Sequence, residues 1–165
     1  MQSVAEALAS MMPAFSPLGE EEALLTEAAG RYLSRDVHAR FDSPAFDNSA
    51  MDGYAVRAVE SAGASRETPV RLAVQGESRA GGPLPEAIQP GTACRIFTGA
   101  PMPAGADAVV IQEDTERDRG WVDLLEASTR GKHVRARGGD LCAGTVLLQA
   151  GDRLLPGEIG LLQGG

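Results

Sequence analysis

The chain has 165 residues, of which 43% are hydrophobic and only 4% aromatic, with 20 Gly and 10 Pro. That apolar fraction suffices for a packed core of Val, Leu, Ile and Ala and excludes disorder as the default state. The Gly and Pro content favours a loop-rich, strand-rich fold over a helical bundle. A formal net charge of −8 leaves no basic surplus to displace counterions from a polyanion, so nucleic acid is not expected as a partner.

In chain order, the first expected element is a helix. Ser3 followed by Glu6 fits a capping box, Val4, Leu8 and Met11 or Met12 recur at helical spacing, and Pro13 should end it. This stretch has no basic leader segment and no long apolar run, so neither a signal peptide nor a membrane span is expected, and a cytoplasmic location follows. "SPLGEEEALL" restarts the chain. From Glu20 to Leu33 the signals conflict: strong helix formers are interrupted by Gly30, so a short extended piece with a helical turn near Ala28 to Leu33 is equally tenable.

Beyond Ser34 the pattern changes to period two. Val37 to Phe41, Tyr54 to Val59, Val70 to Val74, Ala93 to Phe97 and Asp107 to Gln112 read as strands. Gly76 to Pro85 reads as irregular because it is rich in Gly and Pro. "EDTERDRG" turns back into "WVDLLEA" as a hairpin, and Gly157-Glu158 opens an apolar run that could start a helix. Ending on Gly164-Gly165 without a closing polar tail, the chain reads as the front part of something longer. Cys94 and Cys142 match no zinc spacing and read as free thiols of a reducing compartment.

Three stretches are candidates for chemistry. In "SPAFDNSAMDGYAV" (Ser43 to Val56), Asp47, Asn48 and Ser49 form turns readily and Asp52-Gly53 is a turn-favouring pair, so a well-made turn explains the composition. Its two carboxylates within six residues also suit a hard cation such as Mg²⁺. In "RIFTGAPMPAGADAVV" (Arg95 to Val110), a strand runs into Thr98-Gly99, a hydroxyl beside a glycine backbone that can contact phosphate or sugar. It equally reads as a strand-to-turn junction, and it is no P-loop. In "GKHVRARGGD" (Gly131 to Asp140), Lys132, His133, Arg135 and Arg137 form a basic run beside Asp140. Such a run either attracts an anion or is simply a solvated face.

Together and in this order, "FDNSAMDGYAV", "RIFTGAPMPAGADAVVIQEDT" and "RARGGD" with "AGTVLLQAGDRL" resemble the N-terminal region of the molybdopterin molybdenumtransferase family, the bacterial MoeA proteins and the E-domain of gephyrin. The resemblance implies transfer of molybdenum from molybdate to adenylylated molybdopterin, with AMP released and Mg²⁺ as cofactor. It implies an elongated homodimer whose active site is shared between subunits, with a molybdopterin adenylyltransferase as a possible upstream partner.

By this resemblance Asp52, Thr98 and Asp140 take catalytic places, Ser49 and Gly99 lie on the cofactor-binding side, and Asp52 and Asp140 are the metal ligands. Gly139 replaces the family's commoner Glu before that last aspartate. The implied fold is α+β and strand-rich, with residues 1–40 and 141–165 forming a segmented domain and residues 41–140 an inserted, barrel-like β domain. The family's pterin-binding α/β domain would begin where this chain ends, so the chain alone is expected to be inactive. The rival reading is a standalone dimerisation or scaffold module without catalysis. A small metal-dependent hydrolase would need a complete site within the chain, and none is evident.

Overall fold

The computed structural model of the chain describes residues 2–16 and 18–164. Pro17, in the expected chain restart, and the terminal Gly165 lie outside them. The chain divides into two compact units, Met1–Val37 with Leu147–Gly164, and His38–Val146.

In the first unit, α1 (Val4–Met11) begins at the expected capping box: Ser3 Oγ accepts from the Glu6 amide and the Glu6 carboxylate accepts from the Ser3 amide. Pro13 does not stop the winding, because it sits in the first turn of a 3-10 segment, Met12–Ala14, where proline's missing N–H costs no bond. The conflicted stretch after Glu20 forms only a 3-10 turn, Leu25–Glu27, and Gly30 adopts φ 84° where a helix would have continued. The small core of this unit is Ala28, Leu148 and Leu154, with Leu25, Leu33 and Ile159 packed against it. Its last helix runs Pro156–Gly164 and is labelled α2, as the Gly157-Glu158 opening suggests. Strands β1 (Val37–His38) and β10 (Val146–Leu148) lie where the chain passes between the units. The first is shorter than the expected Val37 to Phe41.

The second unit is built on strands β2 (Asn48–Ser49), β3 (Gly53–Val56), β4 (Val70–Ser78), β5 (Thr92–Ile96), β6 (Ala108–Ile111), β7 (Thr115–Asp118), β8 (Trp121–Leu124) and β9 (Val134–Arg135). Six of these form one sheet in the order β6-β3-β5-β4-β8-β7, and β2 pairs with β9. Within the six, every neighbouring pair is antiparallel except β4 with β5. Two differences from the sequence reading have local causes. β4 continues through Gly76, expected to be irregular, because a register shift between Val74 and Glu77 takes up the glycine at φ 72°. β3 stops at Val56 and gives way to a 3-10 turn, Ala58–Ser61, since the Ala58 amide donates to Asp107 Oδ1 instead of to a ladder partner.

This sheet has to curl. Its edge strands β6 and β7 lie five positions apart in the order, about 24 Å in a flat sheet. Yet only the 3-10 turn Gln112–Asp114 joins them, and that length of chain reaches at most about 14 Å. The buried residues agree: Tyr54 and Val56 of β3, Leu72 of β4, Ala93 of β5, Val110 of β6 and Val122 and Leu124 of β8 form a single cluster on the concave face. The convex face carries Ala55, Cys94, Ile96 and Val109, covered by Ile88 and Ala100.

Candidate functional site

The three stretches singled out in the sequence meet around residues 47–52. β2 pairs Asn48 with Arg135 and Ser49 with Val134, which ties the first stretch to the third. The loop after β5 zips onto the same residues: Gly99 N donates to Ser49 O at 2.8 Å, Ser49 N to Ala100 O at 3.0 Å and Met102 N to Asp47 O at 2.9 Å. Gly99 at φ 78° makes that turn without the steric penalty a Cβ would bring.

The result is a direct pair. Asp52 Oδ1 accepts from the Thr98 amide at 2.8 Å and from Thr98 Oγ1 at 2.7 Å. These two bonds, and then the field of nearby Arg95, hold the Asp52 carboxyl below the ordinary carboxylate range. Thr98 is exposed and Asp52 half-buried, so the pair faces solvent with its carboxylate ionised. Gly53 follows because nothing larger fits: a Cβ there would lie 2.0 Å from the Val110 carbonyl oxygen.

The other expected residues take different places. Ser49 is fully buried; its Oγ donates to Met51 O and accepts from Met51 N, so it shapes the loop that presents Asp52. Asp47 Oδ1 caps the Arg137 amide at 2.7 Å. Asp140 is exposed, with its amide on Ser43 O and its carboxylate in an ion pair with Arg135; it shares no hydrogen-bond partner with Asp52. The basic run is largely spent internally: Lys132 pairs with Glu126, Arg135 with Asp140 and Arg137 with Asp42.

Two residues were not singled out in the sequence. Asp42 accepts from the Ala143 amide and from Arg137, in that order of effect, and its carboxyl is held low. Arg95 lies between the rings of Tyr54 and Phe97, at 5.1 and 4.9 Å from their centroids. It donates to Gly53 O and Gln112 Oε1. The alternation of "ACRIF" carried a signal for it, since Arg95 falls on the same strand face as buried Ala93.

Among the described residues, no three His, Cys, Asp or Glu side chains gather as a metal-binding set. Asp52 engages Thr98 through Oδ1 alone and keeps Oδ2 available. That donor set fits a Mg²⁺ held by one carboxylate with water and ligand phosphate oxygens around it, and does not fit a closed protein cage. At Asp140 the Arg135 guanidinium already occupies one carboxylate oxygen. No helix among the described residues is long and apolar enough to cross a membrane.

A family model described as the MoeA N-terminal region (domain I and II) matches residues 2–164. Molybdopterin molybdenumtransferase 2 of Mycobacterium tuberculosis is 44% identical over 164 residues, covering 98% of this chain and 40% of the relative. Molybdopterin molybdenumtransferase of Bacillus subtilis is 40% identical over 153 residues, covering 90% of this chain and 36% of the relative. A crystal structure of the molybdopterin biosynthesis moeA protein of Pyrococcus horikoshii superposes with a TM-score of 0.88 at 34% identity, covering 97% of this chain and 42% of that one. The chain thus spans about two-fifths of the length of these relatives. It belongs to the family of the MoeA N-terminal region, domains I and II.

Proposed function

We propose that this chain supplies one wall of the active site of a molybdopterin molybdenumtransferase, which moves molybdenum from molybdate to adenylylated molybdopterin. The observation that carries the proposal is the Asp52–Thr98 pair: an ionised, solvent-facing carboxylate fixed by two hydrogen bonds from one residue. The names of the relatives support the reaction class.

Asp52 is the residue that would hold Mg²⁺, through Oδ2. When bound, the ion supplies neutralisation of charge on the phosphoanhydride. The chain's own residues do the rest. Thr98 keeps Asp52 ionised and aimed outward, Gly53 lets β3 approach β6 closely enough to seat the aspartate at the strand end, and Ser49 stiffens the loop between them. Asp140, paired with Arg135, flanks the same loop at Ser43 and orients the neighbouring backbone.

A homodimer is part of this reading. α1 carries Val4, Leu8 and Met11 on one face, all exposed, and a partner copy covering that stripe is the natural occupant. The same stripe favours the second reading, a dimerisation or scaffold module without catalysis.

Insertion by the full-length protein containing this region, assayed beside its Asp52→Ala variant, tests both readings. In the variant, molybdenum insertion is expected to fall by roughly a hundredfold or more, while circular dichroism and thermal melting stay at wild-type values. Undiminished insertion in the variant would remove Asp52 from the site, and no insertion by the wild-type full-length protein would leave the scaffold reading.

A further inference from the structure

The concave face of the six-stranded sheet ends in a polar mouth that the Asp52–Thr98 pair does not use. Cross-strand partners share a face of a sheet. Tyr54 lies opposite both Arg95 and Val110, and Thr115 and Arg117 lie opposite Leu124 and Val122. Val110, Val122 and Leu124 are buried in the concave core, so Arg95, Thr115 and Arg117 continue the inward-facing rows beyond the point where the apolar core stops.

Gln112, from the turn that closes the sheet, completes a concavity of about 290 Å³ lined by Tyr54, Arg95, Gln112, Thr115 and Arg117. Its ionisable cations are two guanidinium groups, in a chain of net charge −8. Among the described residues neither is ion-paired. Arg71 takes Asp118 and Asp123, and Glu77, opposite Arg95 on β4, is held by Arg79. Arg95 spends two of a guanidinium's five N–H donors, on Gly53 O and Gln112 Oε1, and its stacking between Tyr54 and Phe97 fixes the plane of the rest. A fixed guanidinium with spare donors beside a second one is the arrangement that grips phosphate oxygens with both charge and geometry. The mouth adjoins the first site, since Gln112 N donates to Asp52 O at 3.0 Å.

We infer that this mouth is an oxyanion-binding site, taking the phosphate or phosphoanhydride group of a ligand whose other parts lie along Asp52 and Thr98. Naming that group as the phosphate of the adenylylated pterin rests on the function proposed above; binding of an oxyanion does not.

Inorganic pyrophosphate is the probe, titrated into the ¹⁵N-labelled chain at constant ionic strength and followed by amide and arginine Nε–H shifts. Saturable shifts are expected at Gln112, Thr115, Arg117 and the Arg95 side chain. Arg117→Gln, on an edge strand with an exposed side chain, should weaken binding about tenfold. Asp52→Asn should not weaken it. Absence of saturable shifts, shifts confined to Lys132, Arg135 and Arg137, or an unchanged affinity in Arg117→Gln would overturn the assignment. A failed titration beside an insertion-dead Asp52→Ala leaves the proposed function standing. Bound pyrophosphate beside a wild-type full-length protein that inserts no molybdenum removes that function and leaves the site.

Discussion

Asp52 is held by Thr98 through two hydrogen bonds to a single oxygen, and those bonds are stronger to the carboxylate than to the neutral acid. Its folded-state carboxyl is therefore held below the ordinary value. The lock is complete above the ordinary carboxylate range, about pH 3.9 for an unperturbed aspartate, and is lost as pH falls through the depressed folded value. A pH titration of the Thr98 amide proton by NMR should show a midpoint below that ordinary value, and Asp52→Asn should abolish the titration. A midpoint at or above it would mean that Thr98 does not favour the ionised form. The aspartate itself was legible in the sequence as a member of an oxygen-rich loop. Its partner was not, because 46 positions separate the two and only the pairing of β3 with β5 brings the loops together.

At the scale of elements, β3 is wedged between β5 and β6, and Gly53 marks its tightest point. A methyl group there would meet the Val110 carbonyl oxygen at 2.0 Å and the Ile111 Cα at 3.0 Å. Both are backbone atoms of β6, held in register by its ladder with β3. Gly53→Ala should cost about 1–3 kcal/mol and lower the melting temperature by at least about 3 °C, measured by circular dichroism. A melting temperature within error of wild type would show that β6 yields. Read from the sequence, Gly53 is a turn residue beside Asp52; in the fold it is needed for strand packing, at a φ outside the left-handed region. The capped start of α1 and the core of most strands were readable because capping and alternation are local signals. Segments such as Glu20 to Leu33 were not, because conflicting local preferences there are settled by packing around Ala28 and Leu154.

For the whole molecule, the two units differ in how well their apolar surface is used. The six-stranded unit buries apolar residues on both sheet faces. In the other unit, α1 buries none of its residues and leaves Val4 78% and Leu8 55% exposed. A stripe at i, i+4 and i+7 on a helix is normally covered. With a second copy as its proposed occupant, Leu8→Glu should convert a dimer of the full-length protein to monomer in sedimentation velocity, with helix content unchanged. A variant that still dimerises would place the interface elsewhere.

By itself the sequence determined the strand-rich class, the capped first helix, the absence of a nucleic-acid charge balance and the three stretches that carry the family resemblance, since all of these are local or summed properties. Only the tertiary structure decided which residues face one another. It bonded Asp52 to Thr98, diverted Asp140 to Arg135, buried Ser49 and spent the basic run on ion pairs. It also brought Arg95 and Arg117 to one mouth, because the three-residue turn between β6 and β7 forces the sheet to curl. No pattern along a single strand contains that closure.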